Sequence, residues 1–202
     1  MTRALIVVDV QNDFCEGGAL AVAGGNSIVL PINAILGDYP VVVLTQDWHP
    51  AGHGSFASTH GAAPFSMTEM PYGPQVLWPD HCIQGSSGAE FHPALKLDAA
   101  SLIIRKGMDP GIDSYSGFRE NDKVTPTGLG GYLRELGVTE VDLVGLATDY
   151  CVAYSAIDAV AGGFGARVLL PLCRAIDAGG SFDRSLQAMR TAGVVFSNDM
   201  QL

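Results

Sequence analysis

Val141-Asp-Leu-Val-Gly-Leu-Ala-Thr-Asp-Tyr-Cys-Val152 carries an apolar run, broken only at Asp142, into a helix-like stretch, Val152–Ala161. Apolarity that runs on rather than alternating is the pattern of a parallel strand covered on both faces. Strand, short turn and helix in this order make half of a β-α unit. Cys151 sits on the turn, where free N–H groups and the helix dipole favour negative charge. That placement predicts a lowered thiol pKa and a site that stabilises both a thiolate and an oxyanion formed beside it. It is the thiol counterpart of the elbow that presents serine in α/β hydrolases.

The same grammar recurs on both sides of this segment. Ala4–Val8, Val41–Thr45, Leu102–Ile104, Arg167–Leu170 and Val194–Phe196 are further short apolar runs, several ending close to a polar residue. Helical patterns fall between them, at about Ile28–Gly37, Thr127–Leu136 and Phe182–Thr191. Ser27 and Ser181 fit as N-caps, Gly137 and Gly193 as C-terminal stops, and Pro31 falls in a first turn where its missing N–H costs least. Strands alternating with helices through right-handed crossovers predict an α/β fold with an open, doubly wound, mostly parallel sheet. Ligands in such sheets sit at the carboxyl ends of the strands. Asp9, Asp47, Lys106 and Cys151 all map to that edge.

At 202 residues and 48% hydrophobic composition, one domain over residues 1–202 with a sizeable core is the expectation. A net charge of −10 argues against nucleic acid or an anionic membrane surface as partner. Four cysteines, at 15, 82, 151 and 173, make no metal spacing, and a chain of this size needs no disulfide staples. Strand-like sequence from Arg3 leaves no room for a signal peptide, and no apolar stretch approaches the roughly 20 residues of a membrane span. A soluble, cytoplasmic protein with reduced thiols is the expectation. Cys15, Cys82 and Cys173 read as structural, the first two bordering the expected pocket.

A thiolate attacking a carbonyl carbon needs a base, a charge environment and donors for the oxyanion. Asp9 can take the thiol proton and return it to a leaving amine. Lys106 supplies positive charge. The backbone N–H groups of Ala147 and Cys151 are placed to form the oxyanion hole. Taken singly, each of these residues reads equally well as structure. Their convergence on one sheet edge is what points to catalysis.

Residues 48–93 break the strand–helix rhythm and hold all five histidines, at 49, 53, 60, 81 and 92. A loop of that length inside a compact domain is functional or disordered, and its aromatic and histidine content favours function. Asp47 and His49, two apart in an extended segment, point to one side. With His81 they make a carboxylate and two imidazoles, a set that suits Zn²⁺, Fe²⁺ or Mn²⁺. His53 reads as a fourth ligand or as a donor behind the ligands. His60 and His92 read as surface or loop-packing residues.

Six segments in order carry a family resemblance: residues 4–18 (ALIVVDVQNDFCEGG), 45–50 (TQDWHP), 78–82 (WPDHC), Lys106-Gly107, 115–118 (YSGF) and 145–152 (GLATDYCV). Their combination resembles the nicotinamidases (pyrazinamidases) of the isochorismatase-like cysteine hydrolases. The resemblance implies a six-stranded parallel sheet flanked by helices. It also implies hydrolysis of nicotinamide to nicotinate and ammonia through a thioester, an activity of NAD salvage. It assigns the triad to Asp9, Lys106 and Cys151 and metal ligation to Asp47, His49 and His81, Zn²⁺ being favoured over Fe²⁺ and Mn²⁺. It implies a cis peptide between Leu146 and Ala147 that turns the Ala147 N–H into the oxyanion hole. On this reading a flat aromatic amide is the partner, walled by Phe14, Trp78 and Tyr115. Some relatives carry a further ligand at a spacing other than that of His53. The alternatives are a metal-independent cysteine amidase acting on a carbamoyl or ureido group, a vinyl-ether hydrolase of the isochorismate type, and a non-catalytic sensor on the same fold.

Overall fold

The computed structural model describes residues 2–197. The strands are β1 (Thr2–Val8), β2 (Val41–Asp47), β3 (Met67–Met70), β4 (Gly73–Val76), β5 (Leu102–Lys106), β6 (Val138–Leu146), β7 (Gly165–Arg174) and β8 (Val195–Ser197). The helices are α1 (Val29–Ile35), α2 (Leu129–Glu135), α3 (Ala153–Ala161) and α4 (Ser181–Ala192). Six strands form one sheet in the order β5-β2-β1-β6-β7-β8, every neighbouring pair parallel. This is the doubly wound α/β sheet that the apolar runs predict.

Strands β1, β2 and β6 are buried along nearly their whole length because layers cover both faces of the sheet. Leu5, Ile6, Leu44 and Leu143 are among the fully buried side chains, each contributing about 1.5–3 kcal/mol by leaving water. The winding reverses between β1 and β6, and a crevice opens there at the carboxyl ends of the strands. Close approach of the two strands is built into the sequence. A Cβ on Gly145 would overlap the Val8 carbonyl, so only glycine fits opposite the last residue of β1.

Asp142 interrupts the apolar run of β6 and is fully buried. Its carboxylate takes both Nε and Nη2 of Arg167 across the β6–β7 ladder, at 2.9 and 2.5 Å. It also accepts the Tyr39 hydroxyl at 2.6 Å. Asp142→Ala leaves a guanidinium and a phenol without their partner. The expected loss is about 3 kcal/mol of unfolding free energy in urea, and a loss under about 1 kcal/mol would show the network to be incidental.

Three local expectations need correction. Ser181 is the first residue of α4, not its cap; Gly180, with φ of 78°, holds the cap position. Ser27 lies inside a short 3₁₀ turn over Gly25–Ile28 and donates to the Gly24 carbonyl, so it caps nothing. The segment 48–93 is not wholly irregular, for β3 and β4 form an antiparallel hairpin within it. Gly193 ends α4 as expected, and Gly137 follows the end of α2 with φ of 68°. No helix among the described residues is long and apolar enough to cross a membrane.

Candidate active site

Asp9 follows β1, Asp47 ends β2, Lys106 ends β5, and Cys151 lies five residues beyond β6. Parallel pairing sets Asp47 directly beside Lys106. The peptide between Leu146 and Ala147 is cis. From there the chain makes one wide turn over Thr148–Val152, in which the N–H groups of Tyr150 and Val152 both reach the Ala147 carbonyl, before α3 begins. A turn of this π type inside a helix start is frequent at functional sites. The helix that follows, Ala153–Ala161, matches the expected Val152–Ala161 to one residue.

The Lys106 ammonium is fully buried and has three protons to place. They go to Asp47 Oδ1 at 2.5 Å, the Ser114 carbonyl at 2.8 Å and Cys151 Sγ at 3.6 Å. Asp9 Oδ2 is 2.9 Å from the same nitrogen but off the line of a good hydrogen bond, so its lone pairs remain open. The other Asp9 oxygen accepts the Thr45 hydroxyl at 2.5 Å, while the Asp9 N–H donates back to Thr45 at 3.1 Å. The acid is therefore fixed in place and paired by charge, with one oxygen free to receive a proton. Its backbone is in the left-handed region, φ 47°, which aspartate tolerates better than most residues.

Burial shapes the acid–base balance of this cluster. It raises the Asp9 pKa; Lys106 works against that rise and Asp47 adds to it. Burial also pushes the Cys151 thiol well above its usual value; Lys106 pulls down, and Asp9 and Asp47 push up again. The lowered thiol pKa expected from the strand-to-helix turn is thus overturned. Desolvation in a closed site outweighs one ammonium and a helix end, and the resting sulfur keeps its proton. Lys106 itself stays charged, because its two carboxylate neighbours overcome its own desolvation.

Asp47 faces two ways. Its second oxygen lies 3.7 Å from His49 Nε2 and 4.0 Å from His81 Nε2. His49 Nδ1 donates to the Gly107 carbonyl and His81 Nδ1 to the Pro79 carbonyl, both at 2.8 Å, so in the neutral rings each Nε2 carries the lone pair. Carboxylate and two imidazole nitrogens converge within 4.8 Å of one another, all buried, and His49 Nε2 has no hydrogen-bond partner among the described residues. Acceptors facing acceptors need a cation between them, so the donor set fits a divalent metal with nitrogen and oxygen preference. Burial drives the His81 pKa down to about 4, which keeps that lone pair available. On His49 burial is overcome by the Asp47 carboxylate, which raises the pKa, so a metal takes that nitrogen in competition with a proton. Burial alone would raise the Asp47 pKa, but Lys106 and the two histidines hold it below its ordinary value.

His53 is not presented as a ligand. Its Nδ1 meets the Ser55 hydroxyl and its Nε2 the Asp109 carbonyl, both at 2.8 Å, and the ring lies against His49 with centroids 4.4 Å apart. Phe56, fully buried, touches the rings of His49, His53 and His81 and sets their tilt. Gly107 completes the cradle, since a Cβ there would overlap the His49 ring. His60 is exposed, and His92 is half-buried outside the site.

The sulfur and the Asp47–His81 edge of the donor set open onto one cavity. Phe14, Trp78 and Tyr115 line it, with Asp47, His81, Ala147 and Cys151. Leu20, Asp113, Tyr150 and Ile176 complete the wall, and sequence reasoning missed all four. Tyr150 could have been suspected from its place beside Cys151. Leu20 and Ile176 gave no signal. Ile176 arrives because Asp149, in the turn that carries Cys151, accepts the N–H groups of Ile176 and Asp177 at 3.0 and 2.8 Å and the Ser181 hydroxyl. Gln11 was missed as well: its side-chain amide pairs with both backbone groups of Asp47 at 2.8 Å and pins the end of β2. Cys15, Cys82 and Cys173 are buried free thiols that do not line the cavity.

Residues 3–199 match the family described as the Isochorismatase domain. The chain belongs to the isochorismatase family. Within it, the chain is 55% identical over 192 residues to the nicotinamidase of Acinetobacter baylyi, covering 95% of this chain and 90% of that one. Its fold is similar to that of an Acinetobacter baumanii nicotinamidase/pyrazinamidase, with a TM-score of 0.95 and 54% identity over 96% of this chain and 95% of the other. A pyrazinamidase of Pyrococcus horikoshii in complex with zinc is similar with a TM-score of 0.79 and 35% identity, over 98% of this chain and all of that one (100%).

Proposed function

We propose that this isochorismatase-family protein is a nicotinamidase. It hydrolyses nicotinamide, and pyrazinamide-like aromatic amides, to the carboxylate and ammonia through a thioester on Cys151. The observation that carries this reading is the pairing, in one cavity, of an Asp9–Lys106–Cys151 cluster with an Asp47–His49–His81 cradle. High identity to nicotinamidases over nearly the whole chain supports it. Return of nicotinate to NAD in the cytoplasm is the metabolic reading that goes with it, for a single domain over residues 1–202.

The amide lies with its ring between the aromatic walls and its carbonyl carbon at Cys151 Sγ. As the sulfur attacks, its proton passes to the open oxygen of Asp9, and the nearby Lys106 ammonium stabilises the charge that builds on sulfur. The carbonyl oxygen takes its negative charge against the N–H groups of Ala147 and Cys151. Asp9 then gives the proton to the amide nitrogen, the C–N bond breaks, and ammonia leaves. A water attacks the thioester carbon, Asp9 accepts its proton, and the thiol is restored as the carboxylate product departs. Asp47, His49 and His81 would hold a divalent metal, Zn²⁺ ahead of Fe²⁺ or Mn²⁺. When bound, that ion supplies a Lewis-acidic position for a pyridine or pyrazine nitrogen. The zinc complex of the Pyrococcus horikoshii relative supports the metal assignment.

Ammonia release from nicotinamide by the purified protein is the direct test. Chelation should remove activity, and Zn²⁺, Fe²⁺ or Mn²⁺ should restore it to different extents. Benzamide has the same shape but no ring nitrogen, and it should react at least about a hundredfold more slowly, because position and orientation are lost together. Equal rates on benzamide, or full turnover by metal-free protein, would leave the metal-independent amidase reading in place.

A further inference from the structure

Asp113 is 2% exposed and lines the same cavity as Cys151 and His81. Its two oxygens receive only neutral donors. Gln75 Nε2 bonds to Oδ2 at 2.6 Å and the Ser114 N–H to Oδ1 at 2.8 Å. No lysine, arginine or histidine forms an ion pair with it among the described residues. Yet one of its carboxylate oxygens lies within 4.8 Å of ligand-capable nitrogens of both His49 and His53. His49 thus belongs to two acid–imidazole groups, one with Asp47 and His81 and one with His53 and Asp113.

The charge count in this cavity does not close. Of the three buried carboxylates Asp9, Asp47 and Asp113, the Lys106 ammonium donates to Asp47 and lies 2.9 Å from Asp9, while its other protons go to the Ser114 carbonyl and Cys151, so that Asp113 is left without it. Burying a carboxylate without a counter-ion is strongly unfavourable. His49 Nε2 is at the same time buried and unpartnered. A buried carboxylate with no ion-pair partner among the described residues, within 4.8 Å of a ring nitrogen of His49, and an unpartnered Nε2 on that same ring describe the surroundings of a cation.

We propose that Asp113 is a second carboxylate of the metal centre, standing behind the Asp47–His49–His81 cradle as its counter-charge and raising its affinity for a divalent ion. The proposal rests on the metal part of the reading above and deepens it. Outer carboxylates of this kind typically govern affinity by a factor of about 10–100.

The test is Zn²⁺ affinity of the apo-protein, measured by competition with a chromophoric chelator and without substrate. Asp113→Asn, close in shape and neutral, should weaken Zn²⁺ binding about 10–100-fold. It should also shrink the rise in Tm that saturating Zn²⁺ gives, while the Tm of the apo form does not fall. Gln75→Leu removes the neutral donor and keeps the carboxylate, so its affinity should stay within about threefold of wild type, well short of the tenfold floor for an outer partner. Should Asp113→Asn not fold, Asp113→Ser removes the same charge and carries the same expectation. Wild-type affinity in the neutral variant overturns the proposal, as does an equal loss in Gln75→Leu, which would make Asp113 a structural anchor. A wild-type protein that binds no divalent ion overturns both this proposal and the metal assignment. Absence of nicotinamide turnover with the affinity difference intact would count against the activity alone.

Discussion

Cys151→Ala should abolish nicotinamide hydrolysis, with a rate at least about 10⁴-fold below wild type, the scale seen when a covalent nucleophile is removed. The fold should survive. The thiol is 6% exposed and the change deletes a single atom from a site already open to a cavity, so the Tm should move by no more than a few degrees. Metal content should be unchanged, because the sulfur is not part of the Asp47–His49–His81 cradle. In the wild type, an aldehyde analogue of the substrate should leave an adduct on Cys151 visible by mass spectrometry. Substantial turnover by the alanine variant would defeat the covalent mechanism.

Asp9→Asn should cost at least about a hundredfold in kcat, the contribution of a positioned acid–base group. The amide keeps the hydrogen bonds with Thr45 but cannot take the sulfur's proton. Because burial raises the Asp9 pKa, the acid limb of kcat/KM in the wild type should lie above the ordinary carboxylate range. Activity is present when Asp9 is ionised and falls as pH drops through that value; in Asp9→Asn this limb should vanish. Lys106→Ala should be as damaging by a different route. It takes the ammonium from beside a thiol whose pKa burial has already raised. The rate of Cys151 alkylation against pH should shift further upward. An unchanged profile would strip Lys106 of its role towards the sulfur and leave it as a structural link between Asp9 and Asp47.

What could be read in the sequence was whatever local pattern encodes. Six apolar runs marked the sheet because strands covered on both faces have no polar side to show. Asp47 and His49 were legible as a pair because both lie on one short extended segment, and Cys151 because its turn joins a strand to a helix. What depends on enclosure was not legible. The turn around Cys151 announces groups that lower a thiol pKa, but only the folded cavity shows how little water is left to solvate a thiolate. Ile176 reaches the wall because its own N–H, that of Asp177 and the Ser181 hydroxyl all bond to Asp149, a residue 27 positions before Ile176 in the chain. Nothing in its own neighbourhood hints at that. Asp113 was passed over because a carboxylate in a Gly-Ile-Asp-Ser loop reads as solvated until its burial is known. The β3–β4 hairpin escaped because its strands are four residues each, flanked by Pro and Gly, and mostly exposed or half-buried. Ser181 looked like a cap on sequence alone, but its hydroxyl is drawn to Asp149 instead.

The lysine at the centre of this site is carried by β5, which occupies the rim of the sheet and is bonded to a neighbour on one side only. Along β5 every second residue faces inward, with Ile104 and Lys106 buried and Ile103 and Arg105 exposed. A slip of one residue against β2 would turn the ammonium out to solvent while leaving every other strand of the sheet paired. Rim strands also open locally at lower free energy than the interior of a sheet. The heat tolerance of the chemistry is therefore set at the margin of the molecule, and the large apolar interior protects it only indirectly. Amide exchange in β5, compared with that in β6, reads this difference directly; equal protection of the two would refute it.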